Sequence, residues 1–215
     1  MIPARIRSRD REGQRGQGLV ELALIAPIII ALFVSTAELG LIYGKVNSIG
    51  YASREGARTG SALAQGGVTD CTSGNDPAEV DAAVVSAVER ILKSPDSGID
   101  LARVEQIRIF KADSAGQEIS PAYVNIWEHA DNLGPRVDEV DGEEVRLDFR
   151  PLVVNWPACV RHNGAGPDSI GITVQYRYDY VTPLPVLVDA LTNGSLQMTL
   201  SETTVMALNP TVGTS

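Results

Sequence analysis

Several kinds of residue are scarce in this 215-residue chain, and each scarcity removes a class of function. Aromatic residues make up 5% of it, so any core must be built mainly from Val, Leu, Ile and Ala. Histidine occurs only at His129 and His162, and cysteine only at Cys71 and Cys159. None of these stands in metal-ligand spacing, so no metal site is expected and both histidines read as surface residues. No Gly-x-Ser-x-Gly, phosphate loop, dinucleotide fingerprint or His-Glu-x-x-His occurs, so the sequence offers no catalytic residues and no cofactor site. The acidic run Asp138 to Glu144 lacks the ordered ligand loop of a calcium site and reads as a solvated loop. Positive charge is scarce everywhere but at one end. Residues 1–18 carry five arginines against Asp10 and Glu12, a balance of +3, whereas the remainder has 13 Lys+Arg against 25 Asp+Glu, a balance of -12. An acidic bulk argues against nucleic acid as a partner, because binding there depends on cations that displace phosphate counterions.

What the chain does have is one long apolar run. Leu19 to Tyr43 is 25 residues, and Leu22 to Ala37 holds no charge; about 20 residues suffice to cross a hydrocarbon core. The lipid bilayer is therefore an expected partner. The arginine-rich end beside this run predicts a disordered, cytoplasmic leader over 1–16, with the acidic bulk outside. A secretory signal peptide fits less well, since the run exceeds the usual apolar core of about 7–15 residues and Glu21 stands inside it. Pro27 lies within the run, and Glu38 near its end. Glu38 has two readings, a contact to a partner in the bilayer or at its outer face and a helix-end carboxylate reaching water, of which the second is slightly preferred. Gly40 and Gly44 form a Gly-xxx-Gly pair that permits close helix packing, a pattern that also arises by chance. Both cysteines fall outside the membrane in this orientation, where a Cys71–Cys159 disulfide is compatible with the compartment; two buried thiols are the other reading.

The helix is expected to continue past the membrane from Lys45 to about Ala64, with Ile49, Ala52, Ala57 and Leu63 on one face and Arg54, Glu55 and Arg58 in water. Gly44, Gly50, Gly56 and Gly60 weaken it by up to about 1 kcal/mol each against Ala and suit a place where another helix packs closely. Asp76-Pro77 starts a second helix of roughly 18 residues, amphipathic through Val80, Val84, Val88 and Leu92 and stopped by Pro95 and Gly98. Strands are predicted at Val104–Phe110, Val145–Phe149, Ile170–Val181 and Leu196–Ala207, while 112–144 reads as a long exposed insertion. The fold class is α+β, with a long N-terminal membrane-anchored helix, one amphipathic helix and a small antiparallel sheet. The expected parts are a leader over 1–16, an extended helix over 17–65 and an exported domain over 66–215.

Gly16 followed five residues later by Glu21 gives the leader a chemistry. Glycine before a scissile bond lets a membrane peptidase approach the backbone, and a cut there makes Gln17 the first residue and Glu21 the fifth. That register resembles the type IV pilins, in which a new α-amino group relieves a carboxylate at the membrane edge. Glu21-Leu-Ala-Leu-Ile-Ala-Pro27, Ala37-Glu38-Leu39-Gly40 and Ala52-Ser-Arg54-Glu55-Gly56-Ala57-Arg58 together are similar to the TadE-like family, minor pilin-like proteins of tight-adherence (Flp-type) pilus systems. The chain departs from that pattern at Leu22, where Phe or Tyr is usual, and at Ser53. The resemblance spans about residues 15–60 and implies a pilin-like, non-enzymatic protein. It implies processing by a prepilin peptidase, methylation of the new N-terminus, and assembly with other pilin-like subunits and the inner-membrane pilus assembly platform. The alternative is an uncut single-pass anchor displaying an adhesive or ligand-binding domain.

Overall fold

The computed structural model describes residues 11–63, 77–130, 136–140, 143–164, 166–182 and 198–209. Helix α1 runs unbroken over Arg11–Ala62, 52 residues, with Pro27 inside it. The first turns correct the expectation of a disordered leader as far as Arg11 to Gly16 are concerned. Once a helix has nucleated in the apolar run, each residue added in front of it gains a hydrogen bond for two fixed dihedrals, and no proline or β-branched residue interrupts 11–17. Residues 1–10, the rest of the expected leader, lie outside the described residues.

Helix α2, Pro77–Leu92, is 16 residues long. Its stripe of Val80, Val84, Val88 and Leu92 is buried as the four-residue spacing predicts. Gly98 reverses the chain after it with φ 58, a left-handed conformation that glycine adopts without steric cost. Asp76, the expected cap, lies outside the described residues.

Among the described residues seven strands follow: β1 (Val104–Ala112), β2 (Val124–His129), β3 (Arg136–Val140), β4 (Glu143–Leu147), β5 (Phe149–Val154), β6 (Ser169–Tyr178) and β7 (Met198–Ala207). Five form a wholly antiparallel sheet in the order β5-β2-β1-β6-β7, and β3 and β4 make a separate ribbon. The expected α+β class, with its long helix, one further helix and small antiparallel sheet, is what the chain adopts. In β6, Ile170, Ile172, Val174, Tyr176 and Tyr178 are all buried, as their alternation predicts; Tyr180 lies past the end of the strand.

Two expectations are corrected. Residues 112–144 are not an exposed insertion, because β2 lies inside the sheet with Val124, Asn125 and Trp127 buried, and β3 follows it. The single strand expected at Val145–Phe149 is two, broken at Asp148. The break has a cause: Glu89 of α2 accepts the backbone N–H groups of Asp148 (2.7 Å) and Phe149 (3.2 Å).

By its contacts the chain divides into two compact units, Ile42–Asp179 with Gln197–Ser215, and Met1–Leu41 with Tyr180–Leu196. In the first, α1 contributes Ile49, Ala52 and Ala57, all fully buried. Its glycines are what permit this. A Cβ on Gly56 would lie 2.6 Å from Val88 Cγ2 and 3.3 Å from Ile172 Cγ2; one on Gly60 would lie 2.6 Å from Ile170 Cδ1 and 3.2 Å from Val84 Cγ2. Two glycines cost the helix about 2 kcal/mol in propensity. Burying the four apolar side chains they admit returns about 1.5–3 kcal/mol for each, so packing outweighs propensity. Hydroxyls on the same face pair with β7: Ser53 Oγ lies 2.8 Å from Thr204 Oγ1, and Ser61 donates to the Ala207 carbonyl at 2.6 Å.

Candidate functional site

Before Tyr43, α1 turns its apolar side chains outward. Leu19 is 68% exposed and Phe33 is 73% exposed, with Leu22, Leu24, Ile28, Ile30 and Leu32 similar. It is the one helix among the described residues that is long and apolar enough to cross a membrane. A water-facing helix with this surface would be unfavourable by the same transfer energies that build cores, so the surface calls for lipid or another apolar helix. Leu19 to Tyr43 would extend about 37 Å at 1.5 Å per residue, against a hydrocarbon core of about 30 Å. The helix passes through Pro27, which cannot donate to the Ala23 carbonyl.

The residues expected to direct processing lie at the start of this surface. Gly16 and Gln17 are within α1, and Gln17 Nε2 donates to Glu21 Oε1 at 3.4 Å on an exposed face. A Cβ at Gly40 or at Gly44 would meet nothing within 4 Å, so that glycine pair is filled by no other part of the chain described here.

Glu38 does not reach water, which corrects the preferred of its two readings. It is 4% exposed, its Oε1 accepts from Val181 N–H at 3.1 Å, and its Oε2 accepts from Thr182 N–H at 2.9 Å. A carboxylate so used binds its own backbone, which no local sequence pattern at 38 announces.

Beyond Tyr43 the exposed side of α1 forms one wall of an open groove of about 630 Å³, lined by Asn47, Tyr51, Arg54, Arg58, Ile91 and Asp96 among others. Arg54 stacks over Tyr51 at 5.7 Å. Glu55 pairs with Arg58 at 3.7 Å and with Arg90 of α2 at 2.8 Å. The arginines expected in water are there, whereas Glu55 is half-buried between them.

Two buried polar clusters hold α2 to the sheet. In one, Arg161 pairs with Asp81 at 2.6 Å, both sealed from solvent, and stacks over Trp156 at 4.6 Å. Asn125 donates to Asp81 and to the Trp156 carbonyl, and accepts from Trp156 N–H at 2.7 Å. Buried charges persist when each is paired, and removing one partner leaves the other uncompensated. In the second, Glu89 accepts from Lys93 at 2.7 Å besides its two backbone donors, and Lys93 also reaches Asp148 at 3.0 Å. Burial pushes the Glu89 carboxyl above the ordinary range more strongly than Lys93 pulls it down. For Lys93 burial also acts against the charge, but the two carboxylates together outweigh it and raise the ammonium. Lys45, just past the apolar run, is lowered by burial and by Arg103, with Asp100 partly offsetting them.

Sequence reading missed these clusters, although a signal was there. Asp81 stands three residues before Val84 and Glu89 four after Val85, so two charges occupy the apolar side of α2. Cys159 lies in the short helical turn Ala158–Val160 and is disulfide-bonded; Cys71, its expected partner, is outside the described residues. His129 packs edge-on against Phe149 and is half-buried, while His162 is exposed. Among the described residues no three His, Cys, Asp or Glu side chains are grouped to hold a metal.

The class these features define is a membrane-anchored α+β protein whose apolar helix continues into the unit that holds the sheet. Its particular likeness lies in the anchor: the model of the family described as TadE-like protein matches residues 16–58, from the residue before the expected cut to Arg58. That segment is TadE-like, and the match supports a Tad pilus-associated, pilin-like protein, in a family that is a pilus component and is not known as enzymatic. No curated protein and no solved structure matches the chain.

Proposed function

We propose that the chain is cut by a prepilin peptidase between Gly16 and Gln17 and acts, as a membrane-anchored pilin-like subunit, in assembling an adhesive Flp-type pilus. The observation that carries this reading is the family match, which begins at Gly16, takes in Glu21 and covers the exposed apolar stretch of the helix. In this reading the N-terminus is cytoplasmic and residues beyond the anchor are outside, which the arginine-rich end favours. Cutting needs the first turns to open. Gly13, Gly16 and Gly18 favour that, each weakening the helix by about 1 kcal/mol against Ala. After cutting, the new amino group of one subunit faces Glu21 of another, and Gly40 with Gly44 admits a neighbouring helix. Partners are the peptidase, other pilin-like subunits, the inner-membrane assembly platform and the bilayer. A Cys71–Cys159 bridge ties the outer unit.

The test is the mature N-terminus. Co-expression with a prepilin peptidase yields a chain beginning Gln-Gly-Leu-Val-Glu, and Gly16→Ala blocks the cut. An intact leader in the presence of active peptidase would instead favour an uncut anchor displaying an adhesive or ligand-binding domain. Glu21→Ala is cut normally but fails to restore piliation; normal piliation with that variant removes the role given to Glu21.

A further inference from the structure

The polar joint at Glu38 lies at an unusual depth. Glu38 comes five residues before Tyr43, the last of the apolar run, about 7.5 Å back along the helix. The helix surface around it is apolar and outward, with Leu39 66% and Leu41 42% exposed. At this level both carboxylate oxygens hold consecutive backbone N–H groups, those of Val181 and Thr182. Val181 itself is 74% exposed, more than any other large apolar residue described. The chain after β6 therefore returns to the helix inside the stretch read as membrane span, rather than beyond it.

We propose that residues 181–182 are a second membrane contact, in which Val181 enters the interfacial layer of the leaflet that the end of the anchor crosses. Glu38 is the positioning residue that holds it there. Lipid is the occupant because Val181 is bound to a level of the helix where Leu39 and Leu41 are exposed like the rest of the apolar run. Irregular backbone is kept out of hydrocarbon by its unpaired polar groups, and Glu38 removes that obstacle for both N–H groups. The exchange is mutual, since the two donors relieve a carboxylate whose presence at that depth would otherwise be costly. The proposal rests on Leu19–Tyr43 being a membrane span.

The full chain is reconstituted at low density in phosphatidylcholine vesicles whose acyl chains are brominated, and tryptophan quenching is read for Val181→Trp and, as reference, Phe33→Trp. Trp127 and Trp156 are sealed in the protein and supply a constant background. Val181→Trp is expected to show blue-shifted emission and at least about half the quenching seen at position 33, consistent with an interfacial rather than a central depth. Adding Glu38→Ala cuts that quenching about twofold or more, and Glu38→Gln, which keeps one acceptor oxygen, by less. Water-like, unquenched emission from Val181→Trp beside a quenched Phe33→Trp overturns the proposal and leaves the anchor intact. No quenching at either position overturns the anchor reading itself. Blue-shifted emission without lipid quenching assigns the surface to a protein neighbour and also overturns the proposal. Quenching that is indifferent to Glu38→Ala overturns the role of Glu38.

Discussion

Gly40 and Gly44 sit on the same helix as Gly56 and Gly60, with the same spacing and opposite surroundings. The second pair is filled by Val84, Val88, Ile170 and Ile172 of the same chain; the first meets nothing within 4 Å among the described residues. The apolar residues divide the same way, exposed from Leu19 to Tyr43 and sealed at Ile49, Ala52 and Ala57. A small-residue spacing thus records that something is able to approach a helix closely, and the rest of the fold decides whether that something is internal. In the half packed on the sheet it is the protein's own second helix and sheet. In the apolar half no described residue fills it.

The largest test of this contrast is steric. Gly60→Val is expected to destabilise the unit that holds the sheet by about 1–3 kcal/mol through overpacking, read by denaturant unfolding in detergent with tryptophan emission. Gly44→Val should leave that unfolding unchanged to within about 0.5 kcal/mol. Equal losses at the two sites would erase the distinction drawn here. Next in size is the pair of buried glutamates, one in each unit. Glu38→Ala leaves two backbone donors without an acceptor, at a cost of about 1–3 kcal/mol. It should speed amide hydrogen exchange at Val181 and Thr182 while leaving β1 and β6 protected. Loss of protection across the sheet would show that the joint supports the whole outer unit.

A smaller effect depends on pH. The folded-state pKa of Glu89 is raised, so the native state holds its proton more tightly than the unfolded chain. This group's contribution to stability is therefore greatest below the ordinary glutamate value near 4.5 and is lost as pH rises through the raised folded value. The stability difference between the wild type and Glu89→Gln should accordingly fall as pH is raised above about 4.5, measured by unfolding at a series of pH values. A difference that grows over the same range would mean that Lys93 dominates. The smallest effect concerns the rim of the contact between α1 and α2. Arg90→Ala removes a pair whose arginine is 68% exposed, and should cost under about 1 kcal/mol, less in high salt. A larger loss would mean that charge rather than glycine packing joins the two helices.

Legibility in the sequence followed periodicity. The four-residue spacing of α2 and the alternation of β6 were readable because each element buries a continuous face. Strand β2 was hidden because Val-Asn-Ile-Trp-Glu-His breaks alternation with Asn125, a residue typical of turns that here is fully buried and bonded to Asp81 and Trp156. The boundary at Asp148 was unreadable for a related reason: its cause, Glu89, is 59 residues away. At the candidate site, Gly16, Gln17, Glu21 and Pro27 are marked by local order in the chain, whereas the partner of Glu38 comes from the far end of a strand.

By itself the sequence determined the anchor, its length, its charged flank and its TadE-like segment, because transfer from water depends on composition along a short window and needs no distant partner. Only the tertiary structure decided which glycines are already occupied, which charges are buried in pairs, and that Glu38 turns inward to the chain after β6. Those outcomes depend on groups as far as 144 residues apart meeting at distances of a few ångströms, and spacing along the chain carries no record of such meetings.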